Sequence, residues 1–171
     1  MWLDADSALR HLDRLHAAAL ALSGNRADAD DLVQETYLSL LRRPRRLRGT
    51  SELAYLMTMM RNRFIDDRRS LARRNATVGL YEVEDSADPR AGLRPDRVVE
   101  DREVLDLVHA LESPFRETVV AVDMLGLSYK EAAAALDVPV GTIMSRLARG
   151  RDRVARAVAP VPERRALVAC A

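Results

Sequence analysis

Residues 128–154, "SYKEAAAALDVPVGTIMSRLARGRDRV", decide how the rest of the chain is read. Ser128 followed three residues later by Glu131 has the spacing of a capping box, in which hydroxyl and carboxylate satisfy helix-start N–H groups reciprocally. That spacing predicts a helix over 129–136, and its alanines, Ala132, Ala133 and Ala135, let another helix cross closely. Asp137 to Pro139 breaks the chain, and Pro139 opens the next helix without forfeiting a needed donor. A second helix is expected over 140–158. At about 100° per residue, Val140, Ile143, Leu147, Gly150, Val154 and Val158 share one apolar stripe. Thr142, Ser145, Arg146, Arg149, Arg153 and Arg156 share another, roughly a quarter to a third of a turn away. A short helix, a break and an amphipathic second helix make a helix-turn-helix, whose second helix enters the DNA major groove. Arginine's planar fork pairs bidentately with guanine or clamps phosphate, while Thr and Ser reach bases or phosphates. Taken alone, the stretch also fits a surface helix carrying arginines for solubility.

Upstream of it, Ser113 before Pro114 is a helix start, and Gly126 a helix stop that exploits positive φ. Helices are expected over 98–111 and 114–125. From 75 to 96 periodicity disappears, and "EDSADPRAGLRPD" has the composition of a surface linker. Earlier still, Ala8, Leu12, Leu15, Ala19 and Leu22 mark a helix over 7–22. Leu32, Val33, Thr36, Tyr37 and Leu40 mark one over 27–43, ended by Pro44. A third begins at Ser51 or Glu52 and continues to Arg69 or Arg73, with Leu53, Leu56, Met57, Met60 and Phe64 on one side. No segment alternates with period two, so no sheet is predicted. The expected fold is all-α: two small helical domains, 1–74 and 98–158, joined by a flexible linker over 75–97, with a loose tail over 159–171.

With 48% hydrophobic and 4% aromatic residues, the 171-residue chain suits packed helices. Its net charge of +1 is uninformative, but the distribution is not: −4 over 1–41, +8 over 42–74, −6 over 75–112 and +3 over 113–171. Such segregation suits a polyanion facing the middle and end of the chain, with an acidic stretch between. Every basic side chain except Lys130 is arginine. Cys170 is the single cysteine, which excludes an internal disulfide and a thiolate zinc site. No apolar run is long enough to span a bilayer, and the charged N-terminus is unlike a secretion signal, so the expectation is a cytoplasmic protein without membrane insertion. Asp66 and Asp67 point about 100° apart on a helix and do not converge on one metal, and His11, His16 and His109 have no accompanying nucleophile. These residues argue against a DNA-acting hydrolase; no catalytic residue, metal or cofactor is expected.

The C-terminal stretch resembles region 4 of bacterial RNA polymerase sigma factors of the small extracytoplasmic-function (ECF) group, and "ESPFRETVVAVDMLGLSY" resembles the segment before it. "DADDLVQETYLSLLRR" resembles region 2.2 of that family, and "YLMTMMRNRFIDDRR" resembles its regions 2.3 and 2.4. The two matches, in the expected order, cover most of 8–158. On the third helix Tyr55, Thr58, Met59, Asn62, Asp66, Arg69 and Arg73 lie opposite the apolar stripe. A stacking ring, an adenine-pairing amide and phosphate-neutralising guanidinium groups suit single-stranded DNA.

What the resemblance implies is a non-enzymatic initiation factor. Thr142, Ser145, Arg146, Arg149 and Arg153 would read the minus-35 element of promoter DNA. Arg48, Gly49, Thr50 and Ser51, with Tyr55, Asn62 and Arg69, would capture the minus-10 strand. Asp31, Gln34, Glu35 and Leu38 would meet the β′ clamp helices of core RNA polymerase, and the C-terminal domain the β flap. An anti-sigma factor is an implied partner. The chain departs from the family at Tyr55, where tryptophan is usual, and at Met144, where a basic residue is common. A stand-alone helix-turn-helix regulator would account for 113–158 alone.

Overall fold

The computed structural model describes residues 2–3, 5–42, 45–47, 51–77 and 97–158. The expected loop at Arg48, Gly49 and Thr50, most of the linker and the tail lie outside the described residues. The all-α expectation holds, with helices α1 (Ala5–Leu9), α2 (Leu12–Ser23), α3 (Arg26–Arg42), α4 (Glu52–Thr77), α5 (Arg97–His109), α6 (Ser113–Val119), α7 (Tyr129–Leu136) and α8 (Val140–Val158). β1 (Trp2–Leu3) pairs antiparallel with β2 (Arg45–Arg46), a two-residue ladder too short to leave a period-two signal.

Three local departures have physical causes. The single helix expected over 7–22 is split at Arg10 and His11, where the His11 N–H donates to the Ala8 carbonyl and the His11 ring lies 2.9 Å from the Glu52 carboxylate on α4. The helix begun at Ser113 runs on as a π turn over Val120–Met124, with Leu125 N–H donating to Val120 C=O, before Gly126 closes it at φ 69°. α4 continues to Thr77, past the expected boundary, as one more turn of a helix whose outer half is largely solvated.

The two helical regions pack against each other. α2 buries Leu15, Ala18, Ala19, Ala21 and Leu22, an arc wide enough to face α3 and α4 on one side and α5 and the π turn on the other. Alanine at 18 and 21 lets the second half approach closely. The buried apolar side chains form one continuous cluster, from Leu3 through Met57 and Met60 to Leu125 and Leu147.

Polar contacts fasten the same seam. Arg61 donates to Glu117 at 2.6 Å, and Arg14 donates to the Leu125 carbonyl. Arg116 reaches from α6 to the Leu22 carbonyl at 3.0 Å, satisfying an orphan acceptor in the last turn of α2. Burial lowers the Arg116 pKa, with the nearby Arg68 charge acting in the same direction. Gly24 ends α2 at φ 85°, and the His109 ring lies where a Cβ would stand.

Candidate nucleic-acid and polymerase interfaces

The helix-turn-helix forms as its sequence dictates. Ser128 Oγ accepts from the Glu131 N–H at 3.3 Å, and the Glu131 carboxylate accepts from the Ser128 N–H at 2.8 Å and from its hydroxyl at 2.7 Å. The Ser128 hydroxyl, followed by that of Ser51, holds the Glu131 pKa below its ordinary range. α7 ends on Asp137 at φ 54°, whose N–H returns to Ala133. Val138 N–H bonds the same carbonyl, closing a tight left-handed cap in which aspartate stands where glycine is usual.

α8 buries Ile143, Leu147 and Gly150. A Cβ on Gly150 would meet Val119 Cγ2 at 2.7 Å, so this glycine sets how closely α8 lies on α6. On the other side Ser145, Arg149 and Arg153 are exposed, and Thr142 and Arg146 half-buried. Arg146 and Arg149 form no ion pair or hydrogen bond with any described residue, which leaves both forks available. Arg153 differs: it donates to Glu112 at 3.0 Å and lies 4.2 Å over the Phe115 ring, so it serves the module's own packing. Arg151 is clamped to Asp123. Ser145 Oγ donates to the Thr142 carbonyl at 3.0 Å.

The expected single-strand surface on α4 is divided. From Glu52 to Arg61 no residue is exposed, because this half of the helix meets α2 and α3 within its own module and α7 from the other. Tyr55 is half-buried there. Ser51 Oγ accepts from the Ala54 N–H at 3.2 Å as the helix cap, and its hydroxyl is among the groups that lower the Glu131 pKa on α7. Beyond that point Asn62 and Arg69 are exposed. The seven α4 residues therefore share one side of the helix, but only its outer half is open.

On α3, Asp31 and Gln34 are exposed and Glu35 and Leu38 half-buried. Leu41, at 55% exposure, lies on the same line and was missed by the sequence reading. Its signal was the 3-4-3 spacing from Asp31 through Gln34 and Leu38. Arg61 was also missed, since a lone arginine amid an apolar pattern reads as solvated. Among the described residues no three His, Cys, Asp or Glu side chains gather as a metal site, and no helix is long and apolar enough to cross a membrane.

Comparison with known proteins agrees with both halves. The family model for Sigma-70 region 2 matches residues 8–74, and that for Sigma-70, region 4, matches residues 101–154. The chain is 36% identical over 151 residues to the ECF RNA polymerase sigma factor SigE of Mycolicibacterium smegmatis, a match over 85% of this chain that spans 57% of the relative's length. It is 36% identical over 155 residues to the ECF RNA polymerase sigma factor EcfG of Rhodopseudomonas palustris, covering 87% of this chain and 81% of that one. Among solved structures, sigma factor RpoE of Bartonella quintana, in complex with the anti-sigma factor NepR, superposes with a TM-score of 0.71 at 27% identity, over 88% of this chain and 93% of that one. The chain belongs to the sigma-70 family of RNA polymerase sigma factors, in its extracytoplasmic-function group.

Proposed function

We propose that this chain directs core RNA polymerase to promoters, with α8 reading the minus-35 duplex and α4 capturing the opened minus-10 strand. The observation that carries the reading is the pair of free guanidinium groups, Arg146 and Arg149, on the outer side of a well-formed helix-turn-helix, in a chain whose α4 separately presents Asn62 and Arg69. Base-edge contacts and phosphate contacts need such unpaired forks. The line through Asp31, Gln34, Leu38 and Leu41 on α3 would dock on the β′ clamp helices: apolar side chains edged by acid and amide, exposed or half-buried in the packed chain. The module of α5 to α8 would meet the β flap. The residues assigned to promoter contact also include Arg48, Gly49 and Thr50. An anti-sigma factor is the expected inhibitory partner, supported by the solved relative bound to NepR.

The packed arrangement has a functional consequence. Centres of minus-35 and minus-10 elements lie about 25 base pairs apart, about 85 Å at 3.4 Å per step. A chain of this length packed into one body is about 40 Å across. Engaging both elements requires the two halves to part along the α2–α5 and α4–α7 contacts, which also uncovers Tyr55 and Ser51. The α3 surface is accessible without that movement, so polymerase docking precedes strand capture.

An electrophoretic shift of promoter DNA with and without core polymerase tests the assignment. Specific retardation that depends on core enzyme is expected; equally tight, specific duplex binding by the chain alone would favour the stand-alone regulator.

A further inference from the structure

Met144 is the α8 residue to which the cationic reading gives no role. The helix has two unlike flanks. One carries Thr142, Arg146 and Arg149; the other begins with Val140 and Met144, exposed at 38% and 54%, outside the apolar cluster. Between them, on the line farthest from the core, stand Gly141, Ser145 and Ala148, all exposed. Open space surrounds the position of a Cβ on Gly141, so over residues 141–148 nothing long projects from this line to keep the helix off a surface. A single exposed apolar side chain is ordinary in itself. Here, however, a flexible thioether stands on the leading half of a helix shaped for the major groove. The thymine C5-methyl is the distinctively apolar group presented on that groove's base edges.

We infer that Met144 is a specificity-determining residue that packs on a thymine methyl group of the minus-35 element. The two flanks of α8 then divide the base pairs, with Arg149 directed to guanine edges and Met144 to thymine. The inference rests on the reading of α8 as the minus-35 helix.

Deoxyuridine differs from thymidine only by that methyl group. Holoenzyme binding is measured on duplexes carrying the minus-35 element, with each thymine replaced singly by deoxyuridine, for the wild type, Met144→Leu and Met144→Ala. Burial of one methyl predicts a wild-type loss of about threefold to tenfold at one position. Met144→Leu keeps this sensitivity. Met144→Ala binds the thymine duplex weaker by a similar factor and no longer distinguishes the two bases. Equal deoxyuridine sensitivity in the wild type and Met144→Ala, the absence of any sensitive position, or a minus-35 element without thymine on either strand would overturn the inference. Failure of the underlying reading looks different: scrambling the whole element and Arg149→Ala would both leave binding unchanged.

Discussion

Replacing Arg61 with leucine should loosen the hold between the two halves more than it unfolds either of them. Arg61 Nε donates to Glu117 Oε2 at 2.6 Å, and the other carboxylate oxygen accepts from Ser113 Oγ at 2.6 Å. Glu117 is 8% exposed, so removing the cation leaves a nearly buried carboxylate with one hydroxyl partner. Breaking a fully buried pair costs about 3–5 kcal/mol. Here the arginine side chain is 23% exposed and Ser113 remains, which brings the figure to about 2–3 kcal/mol. Parting the halves gives Glu117 access to water, so the cost falls on the packed state. The ratio of packed to parted chains then drops about 30- to 150-fold, at about 1.4 kcal/mol per factor of ten.

Small-angle scattering reads this directly. The packed chain has an expected radius of gyration of about 16 Å, and parting raises it by several ångströms. Where the wild type is packed by a margin larger than the loss, the same 2–3 kcal/mol appears instead as reduced unfolding stability. Exchanging the charges, Arg61→Glu with Glu117→Arg, should recover much of either change. If Arg61→Leu altered neither scattering nor stability, the ion pair would not be holding the seam and the reasoning would fail.

Arg149→Ala is expected to weaken minus-35 binding by the holoenzyme by about 1–3 kcal/mol and leave polymerase association intact, whereas Asp31→Ala weakens polymerase association and, through it, core-dependent promoter binding; fluorescence anisotropy with labelled promoter and with core enzyme checks both. Gly24→Ala combines about 1–2 kcal/mol of left-handed backbone strain with displacement of the His109 ring, for a total of about 2–4 kcal/mol by chemical denaturation. A loss under about 0.5 kcal/mol would show that the α2–α5 contact is not close. Because the Glu131 pKa is lowered in the folded chain, its contribution is complete above the ordinary value of 4.5 and is lost as pH falls through the lower folded value. The stability difference between the wild type and Glu131→Gln should therefore persist at neutral pH and shrink in acid below that range.

How much of this was legible in the sequence depended on whether the controlling contacts were local. The capping box at Ser128 and Glu131, the break at Asp137 to Pro139 and the stripe through Ile143 and Leu147 are all set within a few residues, and the structure follows them. The break at His11 coincides with a side-chain contact to Glu52, 41 residues away, and leaves no periodic trace. Gly24 and Gly126 read correctly as helix stops, but each also receives a side chain from the opposite half, His109 and Arg14, which no single helix reveals. The seam was missed for the same reason. Arg61 and Glu117 each look like a solvated charge until both helices are in place. On the candidate surfaces, Ser145 and Arg149 of α8 and Asp31 and Gln34 of α3 are exposed, and Thr142, Arg146, Glu35 and Leu38 are half-buried. Arg153 is turned to Glu112 and Phe115, and Tyr55 and Ser51 are covered by a half of the molecule whose approach the acidic linker does not announce.

The most direct test of the account is run-off transcription with core polymerase on a genomic promoter library. Transcripts are expected from defined start sites that depend on the added chain, lost with Asp31→Ala and shifted or weakened with Arg149→Ala. Transcription that is the same with and without the chain at every promoter would contradict it.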